Sequence, residues 1–196
     1  MLQQMVGVLG WNDTFMPTST YRIWTVAVLL LIVLAASSGR SRGLIVLGAL
    51  VALSFVLPVA LELDNARRVG LAWEGRYTLA LAVGVPLLAA AIAGTSARRW
   101  KVIAARSLLI ALPLASLLAY LETLRRYAVG INGPIDFLHG AWHPPQGFVL
   151  AVLWYLTAAG LLVVLLWRLT GPLERRAQPA HARRTSRQPS TILPPL

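Results

Sequence analysis

Long runs of apolar residues, separated by short polar links, dominate the pattern of this chain. A helix that crosses about 30 Å of hydrocarbon needs about 20 largely apolar residues. The runs predict membrane spans at 21–38, 44–61, 77–94, 107–124 and 148–169. None of them shows the two-residue alternation that is typical of membrane barrels. The pattern therefore predicts an all-α fold, an integral membrane helical bundle of about five transmembrane helices.

Composition supports the same class of protein. Hydrophobic residues make up 57% of the chain and charged residues only 13%, and there is no cysteine. A soluble domain carries about 25% charged residues, and a small secreted domain is held together by disulfides. These proportions exclude an ordinary soluble globule, a disordered chain and a disulfide-stapled module.

The charges between the predicted spans divide unequally between the two faces of the membrane. One face holds twelve of the eighteen basic residues and one of the seven acidic residues, which leaves the other face neutral. Cytoplasmic loops of membrane proteins carry the excess of Lys and Arg. We therefore expect the basic face in the cytoplasm, with the N-terminus outside and the C-terminus inside.

Two terminal segments flank the predicted transmembrane domain, 21–169. Residues 1–20 contain scattered apolar and aromatic side chains, among them Trp11, and predict an outer interfacial segment. Residues 170–196 are rich in Pro, Arg and Ser and predict a basic, disordered cytoplasmic tail. The tail has no aromatic residue to stack on a base, so attraction to membrane lipids is favoured over nucleic acid binding.

Small residues spaced four apart predict the faces through which the helices pack, because lipid is as apolar as a leucine side chain. Pro58, Pro86 and Pro113 each remove a backbone donor and predict kinks. The predicted buried pairs are Gly48/Ala52, Ala80/Gly84, Ala89/Ala93, Ala111/Ala115 and Ala115/Ala119.

Three motifs lie in the predicted outer segments. The first is LGWNDT at 9–14, followed by Pro17, and the second is EGRY at 74–77. The third joins LRRYAVG at 124–130 to WHPP at 142–145. In these motifs, over roughly residues 5–150, the chain resembles the C-terminal part of a family of predicted bacterial membrane proteins, domain-of-unknown-function family twenty-one forty-two.

The resemblance implies a polytopic protein similar to C-type glycosyltransferases, in the bacterial plasma membrane. It implies a part in cell-envelope polysaccharide assembly with polyprenyl-phosphate-linked sugars. The sequence has no glycine-rich phosphate loop and no dinucleotide-binding fingerprint, and it predicts no cofactor. Full members of the family carry further spans, so a membrane protein that supplies the missing spans is an expected partner. The alternative is a non-catalytic scaffold or accessory subunit that docks a partner through its outer loops.

Arg76 is the leading candidate for contact with a ligand, because a guanidinium matches the oxygens of a lipid phosphate. Glu74 is positioned to hold Arg76, and Tyr77 to anchor at headgroup depth. Arg125 and Arg126, in the third motif, are further ligand-binding candidates. The alternative for Glu74 and Arg76 is a structural ion pair beside an interfacial aromatic residue.

Two other sets of polar residues are candidates for chemistry. Asp13 is a candidate general base, although an Asx turn or helix cap is favoured for Asn-Asp-Thr ahead of a proline. Asp136, His139 and His143 have spacings that suit a metal, but Gly140 and the prolines after His143 break the helix that would align them. The sequence therefore predicts no metal site, assigns no catalytic residue and leaves enzymatic activity open.

Overall fold

The computed structural model describes residues 2–9, 14–69, 75–96, 98–138 and 140–177. It is an assembly of helices, which confirms the predicted all-α membrane fold. A short two-stranded hairpin stands near the N-terminus. In chain order the elements are α1 (Leu2–Gly7), β1 (Val8–Leu9), β2 (Thr14–Phe15), α2 (Thr18–Ala36), α3 (Ser41–Val69), a 3-10 turn (Gly75–Thr78), α4 (Leu79–Ala82), α5 (Gly84–Ala93), α6 (Arg99–Val129) and α7 (Phe148–Ala177).

Four of the described helices are long and apolar enough to cross a membrane. Their candidate spans are Thr18–Ala36, Ser41–Leu63, Arg99–Val129 and Phe148–Thr170. Most of their large apolar side chains are exposed on the outside of the assembly. Exposure of these side chains to water would cost free energy, whereas exposure to lipid does not. These helices coincide with the predicted spans 21–38, 44–61, 107–124 and 148–169.

The remaining predicted span, 77–94, contains a junction between two helices. It consists of the 3-10 turn, α4 and α5; α4 and α5 meet at Val83, where the backbone stays helical and the Val83 N–H donates to the Leu79 carbonyl at 2.9 Å. Pro86 has no N–H to donate to the carbonyl of Ala82, which is the last residue of α4. Helices α3 and α6 continue through Pro58 and Pro113, so of these three prolines only Pro86 stands beside a junction between helices. Whether this segment crosses the membrane stays a prediction.

The span-length helices and α5 pack in a row rather than around one axis. Helix α7 packs against α6, α6 against α2, α2 against α5, and α5 against α3. One end of the row, which we call the Lys101 end, holds the last residues of α2, α5 and α7 and the first of α3 and α6. The opposite end, the Arg125 end, holds α1, the hairpin, the 3-10 turn and the α6–α7 loop.

The main core lies where α2, α3 and α5 meet. It is built on Ala35, Leu47, Val85, Ala89 and Ile92, and Ala35 and Ala89 are completely buried.

The small-residue pattern predicts the buried faces only in part. Ala89 and Ala115 are fully buried, as expected. Gly84 faces Leu50 of α3 at close range. Gly48 and Ala52, however, are exposed, and nothing approaches Gly48, so the predicted buried face on that side of α3 is wrong. Both faces of α3 carry small residues, and only the position of α5 selects between them.

A few polar bonds connect helices within the apolar region. The Tyr155 hydroxyl of α7 donates to the Pro113 carbonyl of α6 at 3.0 Å, and its ring stacks on Tyr120 with centroids 5.2 Å apart. Thr20 Oγ1 of α2 donates to the Ala115 carbonyl at 3.4 Å. Such bonds are worth about 0.6 kcal/mol each in membrane bundles, so they orient helices more than they hold them.

The charged residues of α6 lie toward its two ends. No charged residue occurs from 107 to 121, and Arg106 and Glu122 lie 16 residues apart. At 1.5 Å of rise per residue this is about 24 Å, which is most of the roughly 30 Å thickness of the hydrocarbon core. Helix α7 continues past the predicted boundary at 169 to Ala177, and the rest of the predicted tail, 178–196, lies outside the described residues.

The orientation of the bundle can be tested with single cysteines, because the chain has none of its own. Asn132→Cys at the Arg125 end should react with a membrane-impermeant maleimide in intact cells, since the positive-inside rule puts this end outside. Ser41→Cys at the Lys101 end should react only after the cells are permeabilised. The reverse pattern of labelling would invert the predicted topology.

The close approach of α3 and α5 predicts different costs for the same substitution at two glycines. A Cβ at Gly84 would lie 3.1 Å from Leu50, whereas nothing lies within 4 Å of Gly48. Gly84→Leu should therefore lower the free energy of unfolding by about 1–3 kcal/mol through overpacking, and Gly48→Leu should change it little. Thermal unfolding in detergent micelles measures both, and equal losses would contradict this packing.

Candidate functional site

The N-terminal segment folds back over the Arg125 end of the bundle. Its strands pair antiparallel, with Val8 opposite Phe15 and Leu9 opposite Thr14. The hydroxyl of Tyr21, in the first turns of α2, donates to the Gly7 carbonyl at 2.8 Å and accepts from the Met16 N–H at 3.0 Å. Helix α1 also packs against the 3-10 turn. One tyrosine thus ties the segment before α2 to the helix that follows it.

Arg125 is held rigidly near the end of α6. Its Nη2 donates to Glu122 Oε1 at 2.6 Å, and its Nε lies 3.1 Å from both carboxylate oxygens. Its Nη1 donates to the Gly133 carbonyl at 2.7 Å and its Nη2 to that of Ile131 at 3.3 Å. The guanidinium therefore joins the helix to the loop that follows it.

Gly130 makes this arrangement possible. It ends α6 with φ 82°, a left-handed conformation that L side chains rarely adopt. The chain turns back at this point, and the loop carbonyls come within reach of Arg125. Farther along, the Ala141 N–H donates to the Ala128 carbonyl at 3.0 Å, so the loop returns to the helix end.

A small polar cavity of about 170 Å³ lies beside this cluster. Two guanidinium groups and one carboxylate give it a net positive lining. Arg126 also lies over the ring of Tyr127, with 5.7 Å between the guanidinium carbon and the ring centroid. The cavity is lined by Thr14, Phe15, Glu122, Arg125, Arg126 and Ile131. Cationic donors at a membrane boundary can attract and orient an anionic group.

The α6–α7 loop forms an aromatic surface next to the cavity. Trp142 packs against Tyr127 and Phe148, with centroid distances of 5.6 Å and 6.5 Å. Phe137 meets Phe148 edge to face at 5.3 Å. Trp142 and Tyr127 are each about half exposed, which suits the headgroup depth of a bilayer.

The predicted ligand residues have different outcomes. Arg125 and Arg126 both line the cavity. Tyr77 ranks among the exposed side chains of the 3-10 turn at the same end. The side chain of Arg76 is not described, and Glu74 and Asp13 lie outside the described residues. The hypothesis that Glu74, Arg76 and Asp13 contact a ligand therefore stays a prediction.

Of the three residues with metal-like spacing, Asp136 and His143 lie in the described part of the chain and His139 does not. Asp136 accepts the Leu138 N–H at 3.2 Å, which is an Asx-type turn and a structural role for its carboxylate. His143 packs on Phe148 with centroids 5.4 Å apart. His139 lies outside the described residues, and the part of the chain that the structure describes contains no group of three possible metal ligands.

Sequence reasoning did not select four residues of the cavity: Thr14, Phe15, Glu122 and Ile131. Glu122 carried a usable signal, since a carboxylate three residues before an arginine on a helix predicts an ion pair. Thr14 closes the LGWNDT motif at 9–14 but had no role assigned, and Phe15 carried no signal, because only the return of the hairpin onto α6 brings the two residues to the cavity.

The fold and the charge distribution define the class of the protein: a multi-pass helical membrane protein. The model of a family described as "Predicted membrane protein (DUF2142)" matches residues 2–85. That range includes the motifs at 9–14 and 74–77 and ends before the third motif. No curated protein and no solved structure matches the chain.

The Arg125 cluster predicts a specific loss of stability. Arg125→Met removes the ion pair with Glu122 and two bonds to loop carbonyls, and should cost about 1–3 kcal/mol of unfolding free energy. Arg22→Met, at an exposed arginine near the same end, is the matched control and should change little. Thermal unfolding in micelles measures both variants. If Arg22→Met lowered the unfolding free energy as much as Arg125→Met, the Arg125 cluster would make no specific contribution to stability.

Proposed function

We propose that this protein binds the phosphate of a polyprenyl-phosphate-linked sugar at the Arg125 end. In this proposal it is a glycosyltransferase-related protein of the bacterial plasma membrane that takes part in cell-envelope polysaccharide assembly. The observation that carries it is the cavity where Arg125 and Arg126 meet beside Glu122. The family resemblance supplies the class of lipid.

The chemistry of the cavity favours a phosphate. A guanidinium offers paired N–H donors that match two phosphate oxygens, and the cavity holds two such groups against one carboxylate. Glu122 holds Arg125 in a fixed orientation, so the arginine loses little conformational freedom when it binds an anion.

The size and depth of the cavity favour a lipid headgroup. Pockets for complete small ligands measure about 300–1,000 Å³, so about 170 Å³ suits a phosphate-sized group rather than a whole lipid-linked sugar. Glu122 is the first charged residue after the uncharged stretch 107–121 of α6, so in this proposal the cavity lies at the boundary of the hydrocarbon core. A ligand can then keep its chain in the lipid while its phosphate reaches the arginines.

Glu122 acts in this proposal as a positioning residue, since its carboxylate is engaged by Arg125. Asp13 immediately precedes Thr14, which lines the cavity, and remains the candidate carboxylate for acid–base chemistry. Glu74 and Arg76 remain candidates for contact with the same headgroup.

Binding of polyprenyl phosphate in nanodiscs tests the proposal, with polyprenol of the same length as the phosphate-free comparison. The wild-type chain should prefer the phosphate. Arg126→Gln should weaken that preference about tenfold, because one charge-assisted contact is lost. Arg22→Gln, at an exposed arginine outside the cavity, should keep it. Equal binding of the two lipids by the wild-type chain would refute the proposal.

A second candidate function is that of a scaffold or accessory subunit that docks a partner membrane protein. The α6–α7 loop favours it, because Ile135 is 89% exposed and Leu138 is also exposed. A photo-crosslinker at Ile135 separates the candidates. Capture of a defined protein in native membranes supports docking, whereas crosslinks to lipid alone support insertion of the loop into the interface.

A further inference from the structure

A large apolar groove runs along α6 in the half of the molecule toward the Lys101 end, away from the cavity at Arg125. Helices α2 and α7 both pack against α6, and the space between them is open on one side, with a volume of about 740 Å³. Small side chains on α6 and α7 leave this space unfilled. The walls include Trp24, Leu31, Leu109, Leu112, Ala158 and Leu162.

The groove is longer than half of the hydrocarbon core of a bilayer is deep. It extends along α6 from Lys101 to Ser116, which at 1.5 Å per residue is about 22 Å. Half of the hydrocarbon core is about 15 Å deep. An acyl chain that enters from the Lys101 end would therefore remain within the groove for the depth of its own leaflet.

The groove has a buried cation at one end. Lys101, the single lysine of the chain, is only 6% exposed. Its Nζ donates to Ser38 Oγ and Ser96 Oγ, each at 2.6 Å, and more distantly to the Ala93 carbonyl at 3.4 Å. All three acceptors are neutral, and within the described residues no carboxylate pairs with this ammonium.

More positive charge surrounds this end. Arg106 Nε donates to Thr170 Oγ1 at 3.2 Å, and its guanidinium carbon lies 4.5 Å from the centroid of the Trp167 ring. Arg98 and Arg168 are exposed nearby. Every acidic side chain that the structure describes, namely Glu62, Glu122 and Asp136, lies at the Arg125 end.

We propose that the groove is a binding site for one anionic glycerophospholipid, with an acyl chain along α6 and its phosphate at Lys101 and Arg106. The site is at the opposite end from the cavity of the proposed function and does not depend on it. The occupant must be apolar for one leaflet depth and negative at one end, which is the chemistry of such a lipid. A buried cation without a carboxylate also gains from an anion that completes the charge pair.

Ser96 gives the phosphate a further donor. Its oxygen accepts from Lys101, and among the described residues its own hydroxyl hydrogen has no acceptor. A phosphate oxygen at the mouth of the groove can accept this hydrogen. It can also replace the long contact between Lys101 Nζ and the Ala93 carbonyl.

Native mass spectrometry of the full-length protein tests the proposal. The protein is released from micelles that contain equal amounts of phosphatidylglycerol and phosphatidylcholine with identical acyl chains. The wild-type chain should retain one phosphatidylglycerol, with a preference of at least fivefold, since each basic side chain near the headgroup contributes about that factor. Arg106→Gln should reduce the preference about fivefold.

Two matched variants test whether the acyl chain occupies the groove. Ala158→Phe fills the groove from α7 and should reduce lipid retention about tenfold. Ala49→Phe adds the same side chain at an exposed alanine of α3, which contributes nothing to the groove, and should retain the lipid.

Several results would overturn the proposal. One is equal retention of the two phospholipids by the wild-type chain, which needs no variant to interpret. Another is full retention by Ala158→Phe, since the chain would then bind elsewhere. A lipid-free dimer of the wild-type chain would assign the groove to a second copy, and displacement by uncharged polyprenol would assign it to an isoprenoid chain.

Discussion

The exclusion of water and charge from the hydrocarbon core is the constraint on which the structure depends. Backbone groups in that layer must bond within helices, and ionised side chains must lie at its edges. Helix α6 shows both consequences, because it is continuous from Arg99 to Val129 and carries no charge from 107 to 121. The polar chemistry is therefore confined to two ends, and these ends differ. Of the charged side chains that the structure describes, those at the Lys101 end are all basic, whereas arginines and carboxylates occur together at the Arg125 end.

The same constraint weakens the forces between helices. Lipid solvates an apolar side chain as well as another helix does, so packing depends on close approach and on a few polar bonds. Ala89 and Ala115 provide close approach, and the bond from Tyr155 to the Pro113 carbonyl joins α7 to α6. The helices form a row instead of a closed bundle, which leaves the groove along α6 open. The Arg125 end is held differently, by Tyr21 and by the Arg125–Glu122 pair.

The apolar runs predicted the spans well because hydropathy acts over a whole helix, and four of them coincide with helices of membrane-spanning length. The junction of α4 and α5 at Val83 was harder to predict, since Pro58 and Pro113 lie inside continuous helices and only Pro86 stands beside such a junction. Small-residue spacing was similarly ambiguous. It identified Ala89 and Ala115 correctly and Gly48 wrongly, because a glycine pattern shows where a neighbour can approach and not whether one does.

The sequence by itself determined the class of protein, the position of four spans and the separation of charge along α6, because each depends on residues close together in the chain. It also selected Arg125 and Arg126, which stand beside each other on one helix. Only the tertiary structure decided that Thr14 and Phe15 join them around a cavity, and that Lys101 bonds Ser38 and Ser96 at the end of a groove. Those contacts join residues that are distant in the chain. They depend on the choice of helices that pack together, and local hydropathy does not specify that choice.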